Sequence, residues 1–283
     1  IRDNNLGGII LFAENLSSPA QIVALNHELQ MAAKASRLQR PLFISVDQEG
    51  GRVARLPRAD STPMSGNMAI GATYRRHGVK FAVASGEVLG AELVALGFNV
   101  NHAPTVDVNT NPKNPVINVR AFGESPQLVA ELGTAQLKAI QEQGIVATLK
   151  HFPGHGDTSV DSHTGLPRVD HSLSQIHQND LAPFKHAIER GEAKMIMTAH
   201  IQYPALDPST MTTKDGSAMI RPATMSKTIL LDLLRGELGF DGLIVTDALD
   251  MAGISDFIEP TEAVIQTFAA GADLALMPLK IRQ

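Results

Sequence analysis

The 283-residue chain contains no cysteine. That absence excludes disulfides, thiolate nucleophiles and Cys-ligated zinc within it, while leaving the redox compartment open. No apolar run reaches the ~18 residues that a membrane-spanning helix needs, so a span is not expected. Positive charge is in deficit: 24 Lys and Arg against 29 Asp and Glu leave a formal charge of −5, without the basic footprint of a nucleic-acid binder. No Gly/Ser linker, low-complexity tract or short repeat marks an internal boundary, and residues 1–283 read as one domain. What is present is ordinary for a globular protein with a sizeable core: 43% hydrophobic and 19% charged residues.

Short apolar runs alternate with segments of helical period. Strands are expected at Gly8–Phe12, Leu42–Val46, Phe98–His102, Ile145–Lys150, Lys194–His200, Gly242–Thr246 and Ala272–Met277. Helices are expected near Pro19–Ser36, Val79–Leu96, Pro126–Gln143, Ser174–Glu189, Ala223–Leu238 and Glu262–Ala269. Ser18-Pro19 and Ser125-Pro126 are cap-then-proline starts, and Gly97, Gly144 and Gly191 fall at helix ends.

Repeated strand–helix units imply a parallel sheet. Polar residues cluster after many different strands: Asp47, His102 and Asp107, Lys150 and His151, His200, Asp247. That distribution indicates a TIM-type (β/α)₈ barrel, with its site at the carboxyl ends of the strands, rather than a doubly wound sheet with one switch point. Seven strands are visible. An eighth would precede Ile1 and a closing helix would follow Met277, so a terminal strand and helix are expected to be missing from this chain.

The densest chemistry lies in Lys150-His151-Phe152-Pro153-Gly154-His155-Gly156-Asp157-Thr158, followed by Asp161-Ser162-His163. An apolar run, Ile145–Leu149, leads into it, as a buried strand would deliver polar groups to its end and then to a loop. In an extended loop Asp161 and His163 would share a side, letting the carboxylate orient an imidazole able to give and take a proton; the bland alternative is a solvated loop histidine. Asp247, ending a strand, suits a nucleophile or a stabiliser of positive charge, and equally a helix cap. Asp250 reads as a cap or surface residue.

Lys150 and His151 at their strand end suit sugar hydroxyls or an internal ion pair with Asp47. Asp47 precedes Gly50-Gly51, a tight turn able to return Arg52 or Arg55 to the barrel mouth. Arg120 sits in a long loop after the third strand, and such loops in compact barrels tend to be functional. His155 and Asp157 read as braces of the loop.

Together, Asp47-Gln48-Glu49-Gly50-Gly51-Arg52, Arg120-Ala121-Phe122-Gly123, the Lys150–Thr158 run and Thr246-Asp247-Ala248-Leu249 resemble a family 3 glycoside hydrolase. The Asp161-Ser162-His163 loop resembles, more narrowly, the β-N-acetylglucosaminidase branch that trims cell-wall muropeptides. The likeness runs through nearly the whole chain in the same order. It implies Asp247 as nucleophile, His163 as general acid/base and Asp161 as its partner. It also implies Asp47, Arg55, Arg120, Lys150 and His151 around the terminal sugar, and a retaining mechanism through a glycosyl–aspartate. The substrate would be a GlcNAc-containing muropeptide or oligosaccharide, with no cofactor and no metal. A histidine in place of a second carboxylate avoids repulsion of carboxylate-bearing substrates or phosphate. The segment Met211–Ser226 is an insertion that resembles longer, often exported members carrying a further C-terminal domain; a bacterial protein, cytoplasmic or exported with a lean to export, is expected.

A β-glucosidase or a phosphorylase of the same family is the nearest alternative. From another class, His151, His155, Asp157 and His163 would bind metal in an amidohydrolase-like barrel, although Pro153 and Gly154 break any helical ligand pair between the first two. A non-catalytic sugar-binding protein is the remaining alternative.

Overall fold

The computed structural model describes residues 1–279. Among the described residues, eight strands run β1 Gly8–Leu11, β2 Phe43–Val46, β3 Val100–Asn101, β4 Val146–Phe152, β5 Met195–Thr198, β6 Thr210–Thr212, β7 Ala218–Ile220 and β8 Leu243–Thr246. Six of them form one parallel sheet in the order β1-β2-β3-β4-β5-β8. Chain order equals spatial order, as expected when each strand returns through a helix on the outside. The result is a half-barrel arc that is incomplete as a TIM-type barrel.

The seventh expected strand, Ala272–Met277, is reduced to a parallel bridge between Val245 and Leu274. Two side chains account for this: the Asp273 carboxylate accepts the Ile244 amide at 2.8 Å and the Thr246 hydroxyl accepts the Leu276 amide at 2.9 Å, each in place of a main-chain rung. No ladder joins the 272–277 segment to β1 among the described residues. The expected insertion is the antiparallel hairpin β6–β7, whose Met211 and Met219 pack with Met225, Ile254 and Ile258.

The expected helices are found at Pro19–Lys34, Lys80–Ala95, Pro126–Glu142 and Pro260–Ala269. Ser18 and Ser125 cap the first and third of these by accepting the amides of Gln21 and Leu128. Helix Pro126–Glu142 shows why the outer layer holds: Val129, Leu132, Leu137 and Ile140 are fully buried against the sheet and helix Lys80–Ala95, each contributing about 1.5–3 kcal/mol.

Two expected helices are divided. Over Ser174–Glu189, Pro183 has no amide hydrogen to donate backward; a π-wound stretch Ile176–Asp180 precedes helix Ala182–Glu189. Over Ala223–Leu238, the Ser226 hydroxyl accepts the Ile229 amide at 3.1 Å, so a short turn Ala223–Met225 ends and a π-wound helix Thr228–Glu237 begins. No helix among the described residues is long and apolar enough to cross a membrane.

Candidate active site

The strand ends build the site from below. Glu49 and Gly50 donate their amides to the Val53 carbonyl at 2.9 and 3.0 Å, closing a turn in which Gly50 has φ +88°, a value that favours glycine. The turn brings the Arg55 amide to Gln48 Oε1 at 2.7 Å and places the guanidinium 5.9 Å from the centre of the Phe12 ring. Of the two arginines considered for the mouth, Arg55 is the one that reaches it.

A cavity of about 230 Å³ opens at the carboxyl ends of the strands, and Asp47, Arg55, His163, Asp247 and Asp250 all line it beside Phe12, Met251 and Met277. Asp250 thus faces the cavity as well as the surface. The Asp247 amide donates to the Thr198 carbonyl at 3.0 Å, fixing the residue between β5 and β8, and its Oδ1 accepts the Ala248 amide at 2.8 Å. Burial works to raise the Asp247 carboxyl pKa. The charges of His151 and His200, the Ala248 amide and Lys150 outweigh it and hold the group below the usual carboxylate range.

Lys150 stands one contact behind that lining, and Glu49, Arg120 and then His151 follow it further back. Lys150 Nζ is 2.7 Å from both Asp47 Oδ1 and Glu49 Oε1. Arg120, on a short turn Asn118–Arg120, grips Glu49 with two nitrogens at 2.8 and 3.0 Å, a bidentate pairing suited to a planar guanidinium. Burial opposes ionisation of both Asp47 and Glu49, yet Lys150 and His102 hold Asp47 below the usual range, and Arg120 and Lys150 hold Glu49 well below it. The internal ion pair expected between Lys150 and Asp47 is therefore present, with a second acid added.

In β4 the ladder to β5 slips between Leu149 and Phe152, and the neighbours Lys150 and His151 both find polar partners inside. His151 Nδ1 is 2.7 Å from Asp107 Oδ2. Its Nε2 lies 3.4 Å from Arg120 Nη2. Asp107 also accepts the amides of His151 and His155.

The loop after β4 is pinned by close approach: a Cβ on Gly156 would stand 1.8 Å from the Val108 carbonyl oxygen. His155 braces it, as expected, through Thr158 Oγ1 at 2.6 Å and Ser162 Oγ at 3.1 Å. Asp157 braces it through Thr110 Oγ1 at 2.8 Å. Desolvation lowers the His155 pKa to about 4, and the His151 charge adds to this.

His163 Nδ1 lies 2.8 Å from Asp161 Oδ1. The pairing arises differently from expectation: the segment is a turn, with the amides of Thr164 and Gly165 donating to the Asp161 carbonyl and the His163 amide donating to Asp161 Oδ1. Nδ1–H is thereby given to the carboxylate, and Nε2 of this cavity-lining, largely exposed side chain has no hydrogen bond among the described residues. Partial burial raises the Asp161 carboxyl pKa, but the His163 amide and ring hold it below the usual range. The four residues considered for a metal, His151, His155, Asp157 and His163, each bond a separate partner, and no group of three or more such donors converges among the described residues.

Sequence reasoning assigned no role to Glu49, and named Asp107 and His200 only as strand-end residues. The usable signal was arithmetic of charge: two buried cations, Lys150 and Arg120, require more acid than Asp47 alone supplies. For His200 there was none, since its bond to the Ala248 carbonyl at 2.9 Å exists only in the folded chain.

A parallel α/β arc with its polar residues gathered around one cavity at the strand ends defines a barrel of the enzyme-bearing kind. Residues 1–282 match the glycosyl hydrolase family 3 N terminal domain, and the chain belongs to that family. It is 59% identical to β-hexosaminidase A of Pseudoalteromonas piscicida over 98% of its own length and 46% of that protein's. Its fold superposes with a TM-score of 0.90 on a family 3 β-N-acetylglucosaminidase from Paenibacillus sp. str. FPU-7, at 46% identity, covering 98% of this chain and 49% of that one. NagZ from Neisseria gonorrhoeae, solved with N-trifluoroacetyl-D-glucosamine, gives a TM-score of 0.82 at 33% identity, covering 96% of this chain and 74% of that one. The chain thus spans about half the length of the first two relatives.

Proposed function

We propose that this chain is the catalytic domain of a retaining exo-β-N-acetylglucosaminidase that removes terminal β-linked GlcNAc from chitooligosaccharides or peptidoglycan fragments. The observation that carries the reading is the shared cavity: a carboxylate held ionised, Asp247, and an imidazole oriented by its own carboxylate, His163 with Asp161, line the same space. The β-hexosaminidase and β-N-acetylglucosaminidase names of the relatives, and the amino-sugar ligand of the Neisseria protein, support the substrate class.

In this reading Asp247 attacks the anomeric carbon while protonated His163 gives its Nε2 proton to the bridging oxygen; the carbon–oxygen bond breaks and the aglycone leaves. His163 Nε2 then takes a proton from water, whose oxygen attacks the same carbon and frees Asp247. Asp161 offsets the imidazolium charge. Asp47 and Arg55 hold the sugar hydroxyls from the cavity wall, and Lys150, His151 and Arg120 complete that subsite.

Trapping with a 2-fluoro or slow N-acetylglucosaminide followed by peptide mapping tests it. The label is expected on Asp247; a label on any other residue overturns the mechanism. Side-by-side turnover of nitrophenyl GlcNAc and glucose glycosides separates this activity from a β-glucosidase. Product analysis with and without phosphate separates it from a phosphorylase.

A further inference from the structure

One partly buried imidazole with no role so far joins two acids. The His171 imidazole, 13% exposed, places Nδ1 2.8 Å from Asp180 Oδ2 and Nε2 3.2 Å from Asp157 Oδ2. Asp180 ends the π-wound stretch Ile176–Asp180 and is almost fully buried. Asp157 is held in turn by Thr110. The other groups facing this pair are the Tyr203 hydroxyl, which donates to the Gly154 carbonyl at 2.6 Å and lies by Asp180, and the more distant Asp107 carboxylate.

The segment between residues 157 and 171 carries Asp161 and His163. Its tip is docked by Ser162, whose carbonyl accepts the Gly253 amide at 3.0 Å and whose hydroxyl meets His155. Its return arm is held by two main-chain bonds to Gln202. His171 alone among these contacts ties the outgoing arm, at Asp157, to the following helical segment, at Asp180.

Resting on the proposed function, we propose that His171 is a positioning residue for the acid/base loop: its bridge from Asp157 to Asp180 fastens the arms of the loop and keeps His163 within reach of the bridging glycosidic oxygen. Nδ1–H donates to Asp180, and Asp157 meets Nε2 as an ion-pair contact at 3.2 Å, which holds only while the ring is an imidazolium. The Asp180 hydrogen bond, helped by the charges of Asp180 and Asp157 against partial burial, raises the His171 pKa and favours that form. Closing a flexible segment with such a tie removes conformers in which the acid is misplaced.

The test uses His171→Gln and Asp157→Asn in the full chain, with kcat/KM measured on two substrates. N,N′-diacetylchitobiose has a sugar leaving group that needs a proton; 2,4-dinitrophenyl N-acetylglucosaminide needs none. Both variants are expected to lose about tenfold or more on the disaccharide while changing little on the dinitrophenyl substrate. Equal losses on both substrates, or no loss on either, overturn the proposal. Asp157→Asn leaves the His171–Asp180 pair in place, so it decides the matter even where His171→Gln does not fold. An unmodified protein inactive on both substrates instead refutes the proposed function.

Discussion

Lys150 Nζ and Glu49 Oε1 lie 2.7 Å apart with both side chains almost wholly buried. The pair is part of a chain, Asp47–Lys150–Glu49–Arg120, in which two cations and two anions neutralise each other behind the cavity. Such a network fixes its side chains at the cost of desolvating four charges, so its integrity matters more than its net strength.

Replacing Lys150 by Met leaves Glu49 with Arg120 alone and Asp47 without its cation. A loss of about 3–5 kcal/mol in unfolding free energy is expected, read from chemical denaturation at neutral pH. A loss within the range of an ordinary surface substitution contradicts the network description.

Removing the Asp247 carboxylate separates catalysis from folding. Asp247→Ala is expected to lower kcat by about a thousandfold or more while the protein stays folded with a modestly lower melting temperature, because the fold favours the ionised carboxylate. Retained turnover with N-acetylglucosaminides excludes Asp247 as the nucleophile.

Acid should weaken the fold in two stages. Desolvation lowers the pKa values of His102 and His155 to about 4 and depresses that of His200 as well. The unfolded chain therefore binds protons that the folded chain refuses, and stability present above the unfolded histidine range of about 6.5 is lost as pH falls toward 4. His171 and Asp180, both raised, act in the opposite sense, two groups against these three and the lowered His186. Below that, Asp47, Glu49 and Asp107, all held down in the fold, lose their contribution as they protonate. Denaturant midpoints measured from pH 7 to 3 should fall throughout, and His155→Gln should flatten the upper part. A midpoint independent of pH between 7 and 5 rules this out.

At the base of the loop, Gly156→Ala drives a methyl into the Val108 carbonyl. The backbone must shift, and a destabilisation of about 3 kcal/mol is expected together with loss of activity, since Asn111 and Asn114 bond this same turn. Calorimetry beside an activity assay checks both.

The alternation of strand and helix was legible because strands of a parallel sheet are nearly continuous apolar runs, as in Leu42–Val46 and Ile145–Leu149. The divisions at Pro183 and after Ser226 were written as a proline and a capping serine within helical patterns, and were read through. The reduction of Ala272–Met277 to one bridge was not legible, since it depends on the Asp273 carboxylate meeting the Ile244 amide from another strand and on the Thr246 hydroxyl meeting the Leu276 amide. The Asp161–His163 pairing was expected from extended alternation and is made by a turn, because the Asp161 side chain and carbonyl both gather following amides.

By itself the sequence determined the order of elements, the strand ends that carry polar residues and the family motifs, since these follow from local periodicity and residue type. Only the tertiary structure decided which charges meet. Glu49 with Arg120, His151 with Asp107, and Asp247 with His163 around one cavity are encounters between distant segments, and their distances, burial and ionisation states exist only once the sheet has brought its strand ends together.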